Sequence, residues 1–314
     1  MLIGIFSTLA ACLCWGFVFV VPQMLEGFSP LEISLGRFLV YGLISFGLLF
    51  WKKRGLLKVS YFPLWRKATW YGFLSTIFCF TGLVIGVQYA NAAVTALIIA
   101  TSPITIATLG NLRKKEFSFG RLLFPILLMA VGIILANLNA FAYDEHPLDR
   151  YLFGIFSAIL GLFSWSWFVV INSAFLENQK QIPAHDWSLM MGSATLVLVC
   201  FLIGAMPFYT PMIERFYVLD EKMVRFIWGS LFLGTISTSC AFLFWNYGSK
   251  RLPVGISGQL MIFEVVFGLI LYYLFAQKTP THFELLGIFF MIAGVITGCK
   301  KLAKITKVYD GVPV

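Results

Sequence analysis

The feature that most constrains this chain is the recurrence of long apolar segments, ten of them in 314 residues. They run approximately 2–24, 30–51, 68–89, 91–111, 118–137, 151–174, 186–206, 223–249, 253–276 and 282–299. A helix needs roughly 20 apolar residues to cross about 30 Å of hydrocarbon, so each segment is long enough for a membrane span. Lipid must be their solvent. Charged residues make up 12% of the chain and hydrophobic residues 60%, whereas a soluble domain carries about 25% charged residues. The connections are short, which leaves no soluble domain to house an active site.

The net charge of +9 would suit a nucleic-acid partner if the basic residues formed a surface. Instead they sit in short runs between apolar segments, where they report orientation. Lys52, Lys53, Arg54, Lys58, Arg66 and Lys67 separate the second and third spans. Arg113, Lys114, Lys115 and Arg121 mark the connection between the fourth and fifth, and Lys250 and Arg251 that between the eighth and ninth. Lys300, Lys301, Lys304 and Lys307 follow the tenth. With alternating spans all of these fall on one side, while Asp144, Glu145 and Asp149 fall on the other. The basic side, with both termini, is expected in the cytoplasm.

The chemistry-bearing residues exclude several classes. Cys12, Cys14, Cys79, Cys200, Cys240 and Cys299 lie in apolar segments without zinc-site spacing and read as small buried hydrophobes. His146, His185 and His282 fall in loops or at span ends, so no metal or other cofactor is expected. An intramembrane enzyme would need a nucleophile–base pair within the spans, and none is evident. Leu9-Ala10-Ala11-Cys12 imitates a lipoprotein cleavage box. No Lys or Arg precedes it and the apolar stretch continues to Val21, so it reads as part of the first span.

The chain also repeats itself. GIFSTLAACLCWGFVFVVPQ from Gly4 aligns with GIFSAILGLFSWSWFVVINS from Gly154 at an offset of 150, which puts Trp15 on Trp165. The fourth and fifth spans align with the ninth and tenth at an offset of 162. Asn91-Ala-Ala-Val94 then pairs with Pro253-Val-Gly-Ile256, Ser102 with Glu264, and Gly132 with Gly294. Each repeat holds five spans, an odd number, so the halves are expected to be inverted about an axis in the membrane plane, a recurrent design of secondary transporters. The expected architecture is an all-α integral membrane protein of ten helices, with repeats at 1–150 and 151–314.

The pattern C-W-G in the first span, S-P-L-E…G-R-F in the second, and A-N-A-A-V…S-P-I…R-K-K-E…A-V-G-I-I-L at the end of the first repeat resembles the EamA family of the drug/metabolite transporter superfamily. So does R-L-P-V-G…F-E-V-V…M-I-A-G-V in the second repeat. The resemblance covers essentially the whole chain. It implies a ten-helix transporter of a bacterial inner membrane, multi-pass, with both termini cytoplasmic. Its cargo would be a small molecule such as an amino acid or related amphiphile, with a nucleotide-related metabolite or cationic drug as the alternative and a channel as a further one. Two positions depart from the family pattern: Val265 stands where Pro often follows Glu, and Lys278 stands where an acid matching Glu116 is expected.

Charges inside a bilayer cost about 2.5–3.5 kcal/mol each and are functional candidates by default. Glu264, midway along the ninth span, suits a substrate ammonium or a coupling proton. Arg37, about two turns into the second, suits a carboxylate, or the two charges serve a structural pair. Thr95 and Ser102 share a helix face, as do their counterparts Ser257 and Glu264, with Gln259 and Phe263 on an adjoining face. Ser75, Thr76 and Gln88 in the third span, and Ser237, Thr238 and Asn246 in the eighth, are further polar candidates. Trp15 and Trp165 lie deep in their spans and suit the walls of a site, with Asn172 two turns beyond Trp165. Trp51, Trp65, Trp70 and Trp187 sit near span ends and read as interface anchors. Pro22, Pro103 and Pro125, with Gly82, Gly86, Gly255, Gly258 and Gly268, suit either bending or close packing.

Overall fold

Every regular element among the described residues is helical. The structure, a computed structural model, describes residues 1–25, 27–90, 95, 98–99, 101–114, 119–136, 147–179, 182–205, 220–277 and 279–309. Asn91, Lys115, Glu116, Asp144, Glu145, His146 and Lys278 lie outside the described residues, as do the side chains of Gln88, Arg113, Lys114, Arg121, Gly255, Cys299, Lys304 and Lys307. Among the described residues, six helices are long and apolar enough to cross a membrane, and three shorter apolar helices accompany them.

The helices are α1 (Leu2–Gly16), α2 (Pro30–Lys52), α3 (Phe62–Gly72), α4 (Cys79–Ala90), α5 (Ser102–Lys114), α6 (Phe119–Ala136), α7 (Leu148–Asn178), α8 (Ala184–Ala205), α9 (Glu221–Gly234), α10 (Ala241–Ser249), α11 (Val254–Leu260), α12 (Ile262–Ala276) and α13 (His282–Tyr309). S-P-L-E starts α2 as a capping box. The Ser29 hydroxyl accepts from the Glu32 N–H at 3.3 Å, and Glu32 Oε2 accepts from the Ser29 N–H at 2.6 Å. Pro30 occupies the first turn, where a helix needs no donor.

Several expected spans are not plain helices. The first leaves α geometry at Gly16 and continues as 3₁₀ turns at Phe17–Phe19 and Val21–Met24, where Pro22 supplies no backbone donor. The ninth breaks at Met261 between α11 and α12. The third and eighth each contain a π turn, Phe73–Phe78 joining α3 to α4 and Thr235–Cys240 joining α9 to α10. Both turns follow the same G-x-x-S-T sequence, at Gly72 and Gly234, an offset of 162. A π turn disturbs the helical ladder, and the hydroxyls help to satisfy it. Thr76 donates to the Gly72 carbonyl at 2.5 Å, Thr238 to Leu233 at 2.9 Å and Ser239 to Gly234 at 2.8 Å.

Packing is closest between α6 and α13, α4 and α7, α2 and α8, and α1 and α10. Several close approaches at glycine are reciprocal. Gly4 abuts Leu252 while Gly154 abuts Ala90, and Gly86 abuts Ala158 while Gly248 abuts Thr8. Gly132 meets Met291 and Gly294 meets Met129, whereas Gly42 meets Leu196 and Gly192 meets Ser45, one residue away from an exact exchange. Of the glycines in doubt, Gly82 and Gly86 therefore serve close packing on α7. Basic residues gather at one end of the bundle. There Lys53 Nζ lies 3.0 Å from Asp186 Oδ2, and Lys250 Nζ donates to the Gln179 carbonyl at 3.4 Å.

Candidate functional site

The second π turn positions the central charge. Arg37 on α2 is buried and donates from Nε to Thr238 Oγ1 at 2.6 Å and from Nη2 to the Ser237 carbonyl at 3.2 Å. Its guanidinium also lies 5.2 Å from the Phe38 ring centroid and 5.3 Å from that of Phe80. A buried cation is tolerable when hydrogen-bonded and set against aromatic faces. These contacts use two of its five N–H donors and leave the fork with capacity for a ligand.

Glu264 enters from the other side, in the first turn of α12 just after the break at Met261. A carboxylate there meets the positive end of the helix dipole. At the break, the Cys12 thiol donates to the Leu260 carbonyl at 3.4 Å. Arg37 and Glu264 lie close enough for their charges to interact. Among the described residues, no ion pair joins them. Cys12 and Cys79 share the electrostatic environment of Glu264. The cysteines divide accordingly: Cys12 and Cys79 are buried, Cys14 and Cys240 half-buried, and Cys200, expected to be buried, is exposed on the flank of α8.

Trp15 and Trp165 meet edge to face at 5.5 Å between centroids. Phe242 lies 6.1 Å from Trp15, and Trp245 lies 5.5 Å from it. Tyr41 stacks on Phe242 at 5.5 Å. The two indoles that the repeat aligns are therefore in contact, within an aromatic cluster larger than the pair.

Asn172 and Asn246, both fully buried, are brought together in a closed chain of hydrogen bonds. Trp187 Nε1 donates to Asn172 Oδ1 at 2.8 Å, Asn172 Nδ2 to Asn246 Oδ1 at 2.7 Å, and Asn246 Nδ2 to Ser188 Oγ at 2.7 Å. Tyr41 joins it through the Ser188 carbonyl at 3.3 Å. Trp187 is thus no interface anchor. The first turn of α8 turns inward and its indole N–H is consumed in the core. Trp51 and Trp70 are exposed as an interface position requires, while Trp65 donates to the Leu56 carbonyl at 2.8 Å.

The other expected residues lie around this centre. Ser102 is buried at the start of α5, with no hydrogen bond to Glu264 among the described residues. Gln259 is buried against Gly298 on α13, its Oε1 without a partner among the described residues. Phe263 packs with Ile126 and Ile262 toward α6 and α13. Sequence reasoning assigned no site role to Phe80, Trp187, Ser188, Phe242 or Trp245. The duplicated G-x-x-S-T was the signal that could have located the Arg37 partner.

A multi-pass helical bundle with a cation and an acid at its centre defines a class of membrane protein, and comparison with known proteins narrows it. The model of the EamA-like transporter family matches residues 2–138 and 152–297. The chain belongs to this family. It is 25% identical over 304 residues to "Inner membrane protein YtfF" of Escherichia coli K12, covering 94% of each chain. It is 22% identical over 296 residues to "Uncharacterized transporter YoaV" of Bacillus subtilis 168, again covering 94% of each. A solved crystal structure superposes with a TM-score of 0.76 at 16% identity, covering 96% of this chain and 98% of the other, a likeness of fold alone.

Proposed function

We propose that this protein is a secondary transporter that moves a small zwitterionic or amphiphilic metabolite, with amino acids the leading class, across a bacterial inner membrane. It works by alternating access of two inverted five-helix repeats, 1–150 and 151–314, with ten spans and both termini in the cytoplasm. The observation that carries this reading is that Arg37, buried on α2, and Glu264, in the first turn of α12, have no ion-pair partner among the described residues. A ligand bearing a carboxylate and an ammonium would complete both and recover the cost of holding them in a low dielectric. The aromatic wall around Trp15, Trp165 and Phe242 supplies apolar surface for the rest of such a ligand.

The reciprocal glycine contacts at Gly4 and Gly154, Gly86 and Gly248, and Gly132 and Gly294 support the repeats, since each of these pairs exchanges when 150 is added to residues of the first two spans and 162 to those of the third to fifth. The gathering of Lys53, Lys250 and Arg251 at one end supports the orientation. The Asn172–Asn246 chain lies between the site and that basic end, so it serves as the inner gate in its closed form. Gln259, Phe263 and Ser102 then shape the flank of the cavity, and Glu264 is the group suited to carry a coupling proton.

The test is counterflow in proteoliposomes preloaded with an amino-acid pool, after a thermal-shift screen of the purified chain for stabilising solutes. Saturable, trans-stimulated uptake of a stabilising zwitterion is expected, with loss in Arg37→Ala. Flux that rises without saturation would assign a channel instead.

A further inference from the structure

A second polar site lies at the basic end, away from the transport centre. Lys52, Lys53 and Arg54, with Tyr61 and Asp186, surround a cavity of about 370 Å³ between the end of α2 and the start of α8. Its charge is not balanced from within. Lys53 is bound to Asp186, whose other oxygen lies 2.9 Å from His185 Nε2. No carboxylate pairs with Lys52 or Arg54 among the described residues. Arg54 is held by the end of its own helix, with Nε donating to the Phe50 carbonyl at 2.8 Å and its guanidinium 4.5 Å from the Phe50 ring centroid. It is ordered without being neutralised.

The segment beside this cavity is amphipathic in an unusual sense. Between α2 and α3 the chain forms two 3₁₀ turns, Arg54–Leu57 and Val59–Tyr61. Val59 is 88% exposed, Phe62 64% and Trp51 76%. Val59 and Phe62 lie beyond the end of α2, where a water-facing loop would carry polar residues. Apolar side chains next to basic ones are the pattern of a segment seated in the headgroup layer.

We propose that this cavity binds the phosphate of an anionic phospholipid between Lys52 and Arg54, with its glycerol and acyl chains lying along Trp51, Val59 and Phe62. The assignment rests on the reading that the basic end faces the cytoplasmic leaflet, but binding itself can be measured without transport. Juxtamembrane basic residues attract anionic headgroups, and a cavity of this size is within the range of small-ligand sites.

The experiment is native mass spectrometry of the purified full-length chain titrated with dioleoylphosphatidylglycerol or dioleoylphosphatidylcholine, with counterflow measured in parallel. Wild type should retain phosphatidylglycerol preferentially. The double variant Lys52→Gln/Arg54→Gln should bind it roughly 25-fold more weakly, about fivefold for each charge. Asp186→Asn, which releases Lys53, should bind it severalfold more tightly, a gain that misfolding cannot mimic. Equal retention of the two lipids by wild type, or unchanged phosphatidylglycerol retention in the double variant, overturns the site. Thermal stabilisation by inorganic phosphate equal to that by phosphatidylglycerol overturns the lipid assignment in favour of a soluble anion. Loss of counterflow with lipid retention intact would bear on the transport reading alone.

Discussion

Replacing Asn172 by alanine should open the basic end of the bundle. The substitution removes two hydrogen bonds, the one accepted from Trp187 Nε1 at 2.8 Å and the one donated to Asn246 Oδ1 at 2.7 Å. Interhelical hydrogen bonds in membranes average about 0.6 kcal/mol and reach about 1.7. Two of them therefore hold the closed form by about 1–3 kcal/mol, a 5- to 150-fold change in a two-state equilibrium. Asn246→Ala also removes two, because Asn246 donates to Ser188 Oγ at 2.7 Å. The bond between the asparagines is shared, so the double variant should cost less than the sum of the singles, by about one hydrogen bond. Cys14 and Cys240, half-buried near the centre, are native reporters. In a background with Cys200 and Cys299 changed to serine, a hydrophilic thiol reagent applied to inside-out vesicles should modify them 5- to 150-fold faster in Asn172→Ala. An unchanged rate in a variant with a wild-type unfolding profile would refute the gate, since the bonds would then persist in both states.

Three other outcomes are expected. Arg37→Lys keeps the charge but loses the fork that holds Thr238 and the Ser237 carbonyl; at about 1.5–3 kcal/mol for a hydrogen bond to a charged group, it should lower the thermal unfolding midpoint as well as uptake, and an unaltered midpoint would contradict the role given to the π turn. Glu264→Gln should abolish the pH-gradient dependence of uptake while leaving substrate exchange, and gradient dependence that survives the change removes Glu264 as the proton carrier. A Cβ at Gly132 would sit 2.6 Å from the Gly287 carbonyl oxygen, and one at Gly294 2.9 Å from that of Pro125; Gly132→Val and Gly294→Val should each cost about 1–3 kcal/mol through overpacking, and a large inequality in detergent unfolding would argue against equivalent contacts.

What could be read from the sequence depended on how local its cause was. Apolar length marks a membrane helix residue by residue, and S-P-L-E marks a cap within four residues, so α2 was legible in both extent and start. The Trp15–Trp165 contact was legible because self-alignment puts both indoles at one position of the repeat. The π turns were not. Serine and threonine occur in many of the spans, so those in these turns give no local mark of a widened helix, and the turn in the eighth is held by Arg37, 201 residues away from Thr238. The break at Met261 left no proline to announce it. Asn172 and Asn246 were visible as polar residues in apolar runs, but their pairing spans 74 residues and no local rule gives it. Trp187 misled because an indole near a span end usually anchors at the interface, and only packing shows that this turn faces inward.

The asymmetry between the halves bears most directly on the proposed function. At the offset of 150 that aligns the first spans with the sixth and seventh, Trp187 on α8 stands where α2 carries Arg37. The two side chains serve opposite ends of the site. Arg37 ties the second π turn, whereas Trp187 turns to Asn172, and the first turn is tied instead by Ser164 on α7, which donates to the Leu74 carbonyl at 2.8 Å, beside its own Thr76 and Ser75 hydroxyls. At the other unequal position the first half has Ser102 and the second Glu264. On the proposed division into repeats, one half lends the cation and the other the acid, each without a charged counterpart at its equivalent place. A scaffold with two-fold packing would hold a symmetric ligand in two orientations, but a cation on α2 and an acid on α12 make the two sides unequal. On the proposed reading a zwitterion enters in one orientation only, carboxylate to Arg37 and ammonium to Glu264. A ligand lacking either group leaves one buried charge uncompensated, which is how a nearly symmetric bundle would select for the pair.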